Sequence, residues 1–526
     1  MAQAVARPAR RWWLPLVAAV VLLSLVGLWV WRGQQPRYQG ASESRADLPQ
    51  LKRDQEWGSK SSTAAALTAT RSLAVLPFAN LSADKENEYF SDGLAEEIIN
   101  SLTLLPGLRV IARTSSFSFR GKEVDVREIG SRLKVENILE GSVRKVGNQI
   151  RVTVQLVHAG EGYQLWSQRY DRKMTDVFAI QDEICRAIVD KLRVELAAAS
   201  PLVKRYTENV EAYNLYLKAH YQLFKFTPES MAKSKEYYEQ AIALDPNYAR
   251  AWVGLTSYYT NMGFFGFLPP NEARAGQSRT VQKALELDDK LAEGHGIMGV
   301  IQSYDFNWKG AEREFRRALE LDPRSEDVWA MYDFNYLVPM RRLDEAVAAS
   351  RRALELDPLS PFLQWRLGYR YFLKREYDRA IQQCRNALEL DPTYFPAHVF
   401  LGLSYAQTGK SDEAIRVLEK LKQLTGGSPM TLGYLGQVYA MAGRKSEARK
   451  LLGQLQDLAK KTYVPPSCFP GIYYGLGEIE TGFQWLEKAA DERDALIMHV
   501  HLDPTFDPTR NHPRYPALLR KMNLER

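Results

Sequence analysis

The 526-residue chain is 45% hydrophobic and 25% charged, a balance that excludes wholesale disorder, a collagen-like fibre and a polytopic membrane protein. Of 70 Lys and Arg against 63 Asp and Glu, nine and four fall in residues 1–70, so the remainder holds 61 and 59 and is nearly neutral. A nucleic-acid binder carries its basic excess on the folded part, and the pI of about 9.0 therefore does not point to DNA or RNA as a partner.

Residues 12–31 (WWLPLVAAVVLLSLVGLWVW) hold no charge and have Trp12, Trp13, Trp29 and Trp31 at their ends. At about 1.5 Å per residue, a helix of this length matches the roughly 30 Å hydrocarbon layer. Arg7, Arg10 and Arg11 precede it, so the positive-inside rule predicts a cytoplasmic tail over 1–11 and places the rest of the chain across the membrane. The segment ends in WVWRG, a poor cleavage site, which favours a retained anchor over a signal peptide. Residues 32–70 are polar and lack a hydrophobic period, as expected of a flexible linker.

A small mixed α/β domain is expected over 71–197. Ser72–Phe78 is a short apolar run stopped by Pro77 and reads as a buried strand. A helix follows with Asp92 as its N-cap and Leu94, Ile98, Ile99, Leu102 and Leu105 on one face. PGLRVIA reads as a turn and second strand, and Asp125 with Glu128 as the capping pair of a second helix. Asn137–Val146 and Gln149–His158 flank Gly147-Asn148 as a hairpin. In its second strand Ile150, Val152, Val154 and Leu156 alternate with polar residues. A strand through YQLWSQRY and a helix carrying Val177, Ile180, Ile184 and Ile188 close the domain. The acidic cluster Asp84, Glu86, Glu88, Asp92, Glu96 and Glu97 reads as a solvated loop and helix start rather than a cation site.

The blocks LAVLPFANLSADKENEYFSDGLAEEI, LRVIARTSSFSFRGK, DVREIGSRLKVENILEGSVRK and QIRVTVQLVHAGEGYQLWSQRYDR resemble the TolB-like amino-terminal domain, which is similar to the FlgO-type domain. In that bacterial family the domain often lies between a membrane span and a repeat array, in CadC-like regulators, adenylate cyclases and Ser/Thr kinases whose effector precedes the span. Only 11 residues precede residues 12–31 here, so none of those activities is carried over. The resemblance implies a single-pass protein of the bacterial inner membrane with its C-terminal part in the periplasm.

From about 209 to 490 the chain repeats. ALELD begins at Ala284, Ala318, Ala353 and Ala387, at spacings of 34, 35 and 34, with AIALDP at Ala241 as an earlier copy. A period of 34 is that of the tetratricopeptide repeat (TPR), a helix-turn-helix unit. The small and apolar positions agree, as in Gly299/Ala311/Phe315/Ala318, Leu367/Gly368/Tyr371/Ala380, Leu401/Gly402/Tyr405/Ala414 and Leu435/Gly436/Tyr439/Ala448. Seven units and a degenerate eighth around Tyr473–Ala489 are expected. Residues 491–526 then form a C-terminal cap that includes His499, His501 and Asp503. The TPR resemblance implies that the first helix of each unit lines a concave surface for peptides or proteins. The candidate groove positions are Tyr304, Phe362, Trp365, Tyr369 and Phe372.

GKS at Gly409–Ser411 lacks the earlier glycine of a phosphate-binding loop, and Cys185, Cys384 and Cys468 show no metal or disulfide spacing. The expected fold is α+β: an N-terminal transmembrane helix, a small mixed α/β domain and an all-α TPR solenoid. The expected function is non-catalytic, without cofactor or metal: a tethered periplasmic scaffold or adaptor for protein or peptide partners. The alternative is an extracytoplasmic sensory module whose output belongs to a separate protein.

Overall fold

The computed structural model describes residues 71–194 and 204–525, apart from 224, 226, 265–267, 269 and 495–496. The chain folds as two compact units, an α/β domain and a helical array. Helices make up 66% of the described chain, so the expected α+β class with a membrane helix is corrected to a dominantly helical fold carrying one small sheet. The expected span 12–31, with the tail and linker around it, lies outside the described residues. Among those described, no helix is long and apolar enough to cross a membrane. The longest, Pro270–Leu287, shows why: it carries Glu272, Arg274, Arg279, Lys283 and Glu286 along its 18 residues. The inner-membrane, single-pass localisation is therefore not retained.

The α/β domain contains strands β1 (Arg71–Val75), β2 (Ala79–Asn80), β3 (Leu108–Val110), β4 (Asn137–Val146), β5 (Gln149–His158) and β6 (Gln164–Lys173). Their order is β3-β1-β4-β5-β6, with β2 pairing β4. β1 runs parallel to β3 and β4, while β4, β5 and β6 form an antiparallel meander. Ile150, Val152, Val154 and Leu156 are buried as their alternation predicts. Helix α1 (Glu88–Thr103) packs on β1, β3 and the closing helix α4 (Val177–Leu192). Two short helices, α2 (Arg113–Phe117) and α3 (Val126–Leu133), lie between β3 and β4 in sequence. Asp125 caps α3 by accepting from the Arg127 amide at 2.8 Å. Glu128 does not complete a capping box and pairs instead with Arg132 at 3.7 Å.

Two readings in this domain are corrected. α1 starts at Glu88, four residues before the expected cap, so Asp92 lies inside the helix and is buried. The acidic cluster is accordingly only partly solvated. Arg120 reaches Asp92 and, at 2.8 Å, Glu88, and Arg113 meets Glu96 at 3.0 Å. Burial pushes the Asp92 carboxyl above its ordinary range, against the pull of Arg120.

Among the described residues the array holds eight helix pairs. They are α5/α6 (Val210–Leu223, Pro228–Leu244), α7/α8 (Ala249–Phe264, Pro270–Leu287) and α9/α10 (Ala292–Tyr304, Trp308–Leu321). Next come α11/α12 (Glu326–Tyr332, Leu343–Leu356), α13/α14 (Pro361–Leu373, Tyr377–Leu390) and α15/α16 (Phe395–Gln407, Ser411–Thr425). The last are α17/α18 (Pro429–Met441, Lys445–Ala459) and α19/α20 (Pro470–Leu476, Ile479–Asp491). The small positions allow close approach. A Cβ at Gly299 would lie 2.9 Å from the Phe315 ring, and one at Gly402 would lie 2.8 Å from Leu418.

The recurrent LDP also has a structural role. Asp322 and Asp391 leave the helix in extended conformation, and each accepts from the amide two residues on, at 3.0 and 2.9 Å. Six residues after each proline, the next helix donates to the proline carbonyl. Trp252 does so to Pro246 at 3.0 Å, Trp329 to Pro323 at 2.8 Å and His398 to Pro392 at 2.9 Å. The repeated tyrosines tie neighbouring units together. Arg351 donates to the Tyr371 hydroxyl and Arg385 to that of Tyr405, both at 2.7 Å. Gly409 and Lys410 fall in the turn between α15 and α16, and Ser411 opens α16.

Candidate functional site

Four of the five candidate groove residues come from α13, which Ser360 caps by accepting from the Leu363 amide at 3.3 Å and Pro361 opens. Trp365 and Tyr369 stack at 5.1 Å, and Phe400 of α15 packs on Trp365, Tyr369 and Phe372 at 5.5, 4.1 and 5.5 Å. Trp365 and Phe372 are 0% exposed and Tyr369 2%. These three thus form an inter-repeat core, which corrects their placement on an open groove: α15 covers the face that the repeat pattern assigned to a partner. Phe362 is half-buried, and the Arg366 guanidinium lies 5.5 Å over its ring. Tyr304 is half-buried on α9, and burial raises its hydroxyl well above the usual range.

A buried charge cluster lies beside these rings, and the sequence reading missed it. After Tyr332 the helix continues as a π-helical turn, Asp333–Leu337. Its first residue, Asp333, is fully buried. Arg366 meets it at 2.5 Å and Arg370 at 2.8 Å, while Ser350 donates to it at 3.2 Å. Arg366 also donates to the Ala330 carbonyl at 3.0 Å. Burial lowers the Arg366 pKa to about 9, against the attraction of Asp333.

The residues beyond α20 do not extend outward as a simple cap. They run back along the turns of the middle repeats, ending in helix α21 (Tyr515–Lys521). His499 donates to the Phe334 carbonyl at 3.2 Å and His501 to the Pro339 carbonyl at 3.0 Å. Arg375, after α13, clamps Asp507 with two bonds of 2.7 and 2.8 Å. Trp308 donates to the Met522 carbonyl at 2.8 Å, and Asn523 to the Phe306 carbonyl at 3.1 Å. Met498, Val500, Leu502, Leu518 and Met522 are buried. Both histidines commit Nε2 to a backbone carbonyl.

An open cavity of about 230 Å³ remains between α6, α7 and α8. Leu255 and Thr280 lie buried at its base, half-exposed Trp252 and Tyr259 form its walls, and exposed Glu239 and Arg279 stand at its rim. Arg279 reaches the Tyr259 hydroxyl at 3.4 Å. This mixture can hold an apolar or aromatic side chain in the cavity and polar groups at the mouth.

The comparisons with known proteins follow the two units. Residues 69–187 match the second domain of HilA/YgeH-like transcriptional regulators, where the sequence blocks suggested a TolB-like domain. Tetratricopeptide models match 229–248, 334–395 and 371–430. The chain is 36% identical over 245 residues to "Putative adenylate cyclase 3" of Rhizobium meliloti, covering 45% of this chain and 41% of that one. It is 24% identical over 297 residues to the transcriptional regulator HilA of Salmonella typhimurium, covering 55% of this chain and 51% of the relative. The chain thus spans about half the length of these relatives, or less. Among solved structures, the type IV pilus biogenesis factor PilW aligns over 43% of this chain and 98% of its own, at 17% identity and a TM-score of 0.35. The helical array is made of tetratricopeptide repeats, and the α/β domain is similar to the second domain of HilA/YgeH-like regulators.

Proposed function

We propose that this protein is a non-catalytic adaptor that binds a protein or peptide partner through its TPR array, at the cavity between α6, α7 and α8. The observation that carries the reading is the contrast within the array. The aromatic residues of α13 are enclosed, whereas Trp252 and Tyr259 stand half-exposed around an open cavity. An anchor side chain entering there meets two ring faces, with Glu239 and Arg279 placed to read its polar neighbours.

The test is crosslinking and affinity capture with the full chain and with Tyr259→Ala and Arg279→Ala. The adaptor reading expects a defined partner whose affinity falls about tenfold in each variant, or about 1.4 kcal/mol. A partner captured equally well by both variants would remove the cavity from the argument. Turnover of a substrate by the purified chain would end the non-catalytic reading.

A second reading is favoured by the match of the α/β domain to a regulator domain. The chain would then be the input module of a regulatory system whose output lies in a separate protein. Capture of a partner bearing a DNA-binding or nucleotide-cyclase domain supports it, and capture of partners with neither rejects it.

A further inference from the structure

We propose that the segment from Ile497 to Leu524 is an acid-opened latch, docked in cis against the turns of the middle repeats by the imidazoles of His499 and His501. His512 and Arg514 tie the segment locally to Glu480 and Glu487 of α20, and the rest of its anchorage is long-range: Phe334, Pro339, Arg375, Trp308 and Phe306 hold residues 132 to 217 positions away in sequence. The π-helical turn provides one of the docking groups. The Phe334 carbonyl lies within that turn and takes the His499 proton, and the His499 ring stands edge-on to the Phe334 ring at 4.7 Å.

A carbonyl can only accept, so each Nε2 carries hydrogen. Burial and the neighbouring cations keep a second proton off Nδ1, so each docked imidazole is neutral. Among the described residues neither Nδ1 atom has a hydrogen-bond partner, and both side chains are 1% exposed. Of the charged groups that face them, the cations disfavour a second proton, and Asp333 pulls the other way. His499 faces Arg370 and Asp333, and that aspartate is already shared by Arg366 and Arg370. His501 faces Arg341, Arg510 and His499 itself. Burial first, and these cations second, hold His499 down to about 3 and His501 well below its ordinary value.

The sign follows. An undocked imidazole takes a proton below about 6.5, whereas the docked one refuses it. Docking is therefore complete above about pH 6.5 and weakens as pH falls. Each histidine loosens it about tenfold per pH unit, so the pair increases opening about a hundredfold between pH 7.5 and 5.5. The undocked state uncovers Phe306, Trp308 and Phe334.

Hydrogen exchange on the full chain at pH 7.5 and 5.5, corrected for intrinsic rates, tests the latch. Amides of 497–524 should open about a hundredfold more at pH 5.5, while those of α15 to α18 keep their protection. In His499→Gln/His501→Gln the side-chain amides can donate to the same carbonyls without titrating, and the pH response should vanish. Arg375→Gln removes a clamp that does not titrate, so it should raise opening at both pH values and leave their ratio unchanged. The proposal is overturned by equal protection of 497–524 at the two pH values, or by a wild-type response in the double variant. It is equally overturned if the whole array opens in step with the segment, or if Arg375→Gln abolishes the pH ratio.

Discussion

The α/β domain and the helical array treat charge in opposite ways. In the domain, Arg151 and Asp171 pair across β5 and β6 in full contact with water, at 2.5 Å and about half-exposed. Asp92 is buried, but its partner Arg120 remains partly exposed. In the array, Asp333, Arg366 and Arg370 are all enclosed, with one carboxylate serving two guanidinium groups. Solvated pairs add little to stability and can slide, whereas an enclosed cluster tolerates only the geometry that satisfies it. The array thus uses buried charge where α11, α12 and α13 meet, a register that the few small and apolar positions shared by its repeats do not specify. The sheet needs no such device, because slipping β5 by one residue would turn Ile150, Val152, Val154 and Leu156 to water.

The largest expected effect breaks this contrast at its buried end. Asp333→Ala removes the buried carboxylate that both guanidinium groups share and should cost about 3–5 kcal/mol in denaturant unfolding of the array. A loss below about 1 kcal/mol would mean that water or another group relieves the charge, and the register argument would fail. In the domain, Leu156→Ala removes a fully buried side chain from the hairpin core and should cost about 2–5 kcal/mol. The two variants also address independence: Leu156→Ala should leave the exchange protection of α15 to α18 unchanged. Loss of that protection would show that the two units unfold together.

Much of this architecture was legible because its causes are local. The hairpin follows from period-2 alternation around Gly147-Asn148, and the helix pairs follow from a 34-residue repeat of small and apolar positions. What escaped has distant causes. Arg366 and Arg370 are spaced i, i+4 like a solvated stripe, and only Asp333, 33 residues away at the nearer arginine, makes them a buried cluster. Asp92 looks like a cap because an acid before an apolar run reads the same whether it starts a helix or lies one turn inside it. Docking of the C-terminal segment on the middle repeats has no local pattern, since its partners there lie more than 130 residues away. Trp365, Tyr369 and Phe372 were grouped correctly on one helix, but the residue enclosing them, Phe400, belongs to the next repeat. One missed signal was accessible. Tyr371 and Tyr405 each follow an arginine by 20 residues, a second period within the first that marks the inter-repeat bonds.

A smaller effect tests how repeats begin. Ser360→Ala removes the hydroxyl that satisfies the Leu363 amide at the buried start of α13, and should cost about 1 kcal/mol. Ser360→Asn should recover most of it, because an amide oxygen at the same position accepts the same bond. If Ser360→Ala is neutral, Pro361 alone sets the helix start, and the serine is incidental.

The smallest effect lies at the wet end. Arg151→Ala on β5 removes the partner of Asp171, whose carboxyl is held below its ordinary range first by the hydrogen bond from Arg151. Arg169 also stands 3.2 Å from Asp171, so the carboxylate keeps one cation after the substitution. Both side chains of the Arg151 pair face water, and the expected shift of the unfolding midpoint lies within the scatter of the measurement. It should shrink further in 1 M salt, where the Debye length falls to about 3 Å. A loss as large as that of Leu156→Ala that persists in high salt would place this pair energetically beside the Asp333 cluster. The division of labour between the sheet and the array would then have to rest on packing alone.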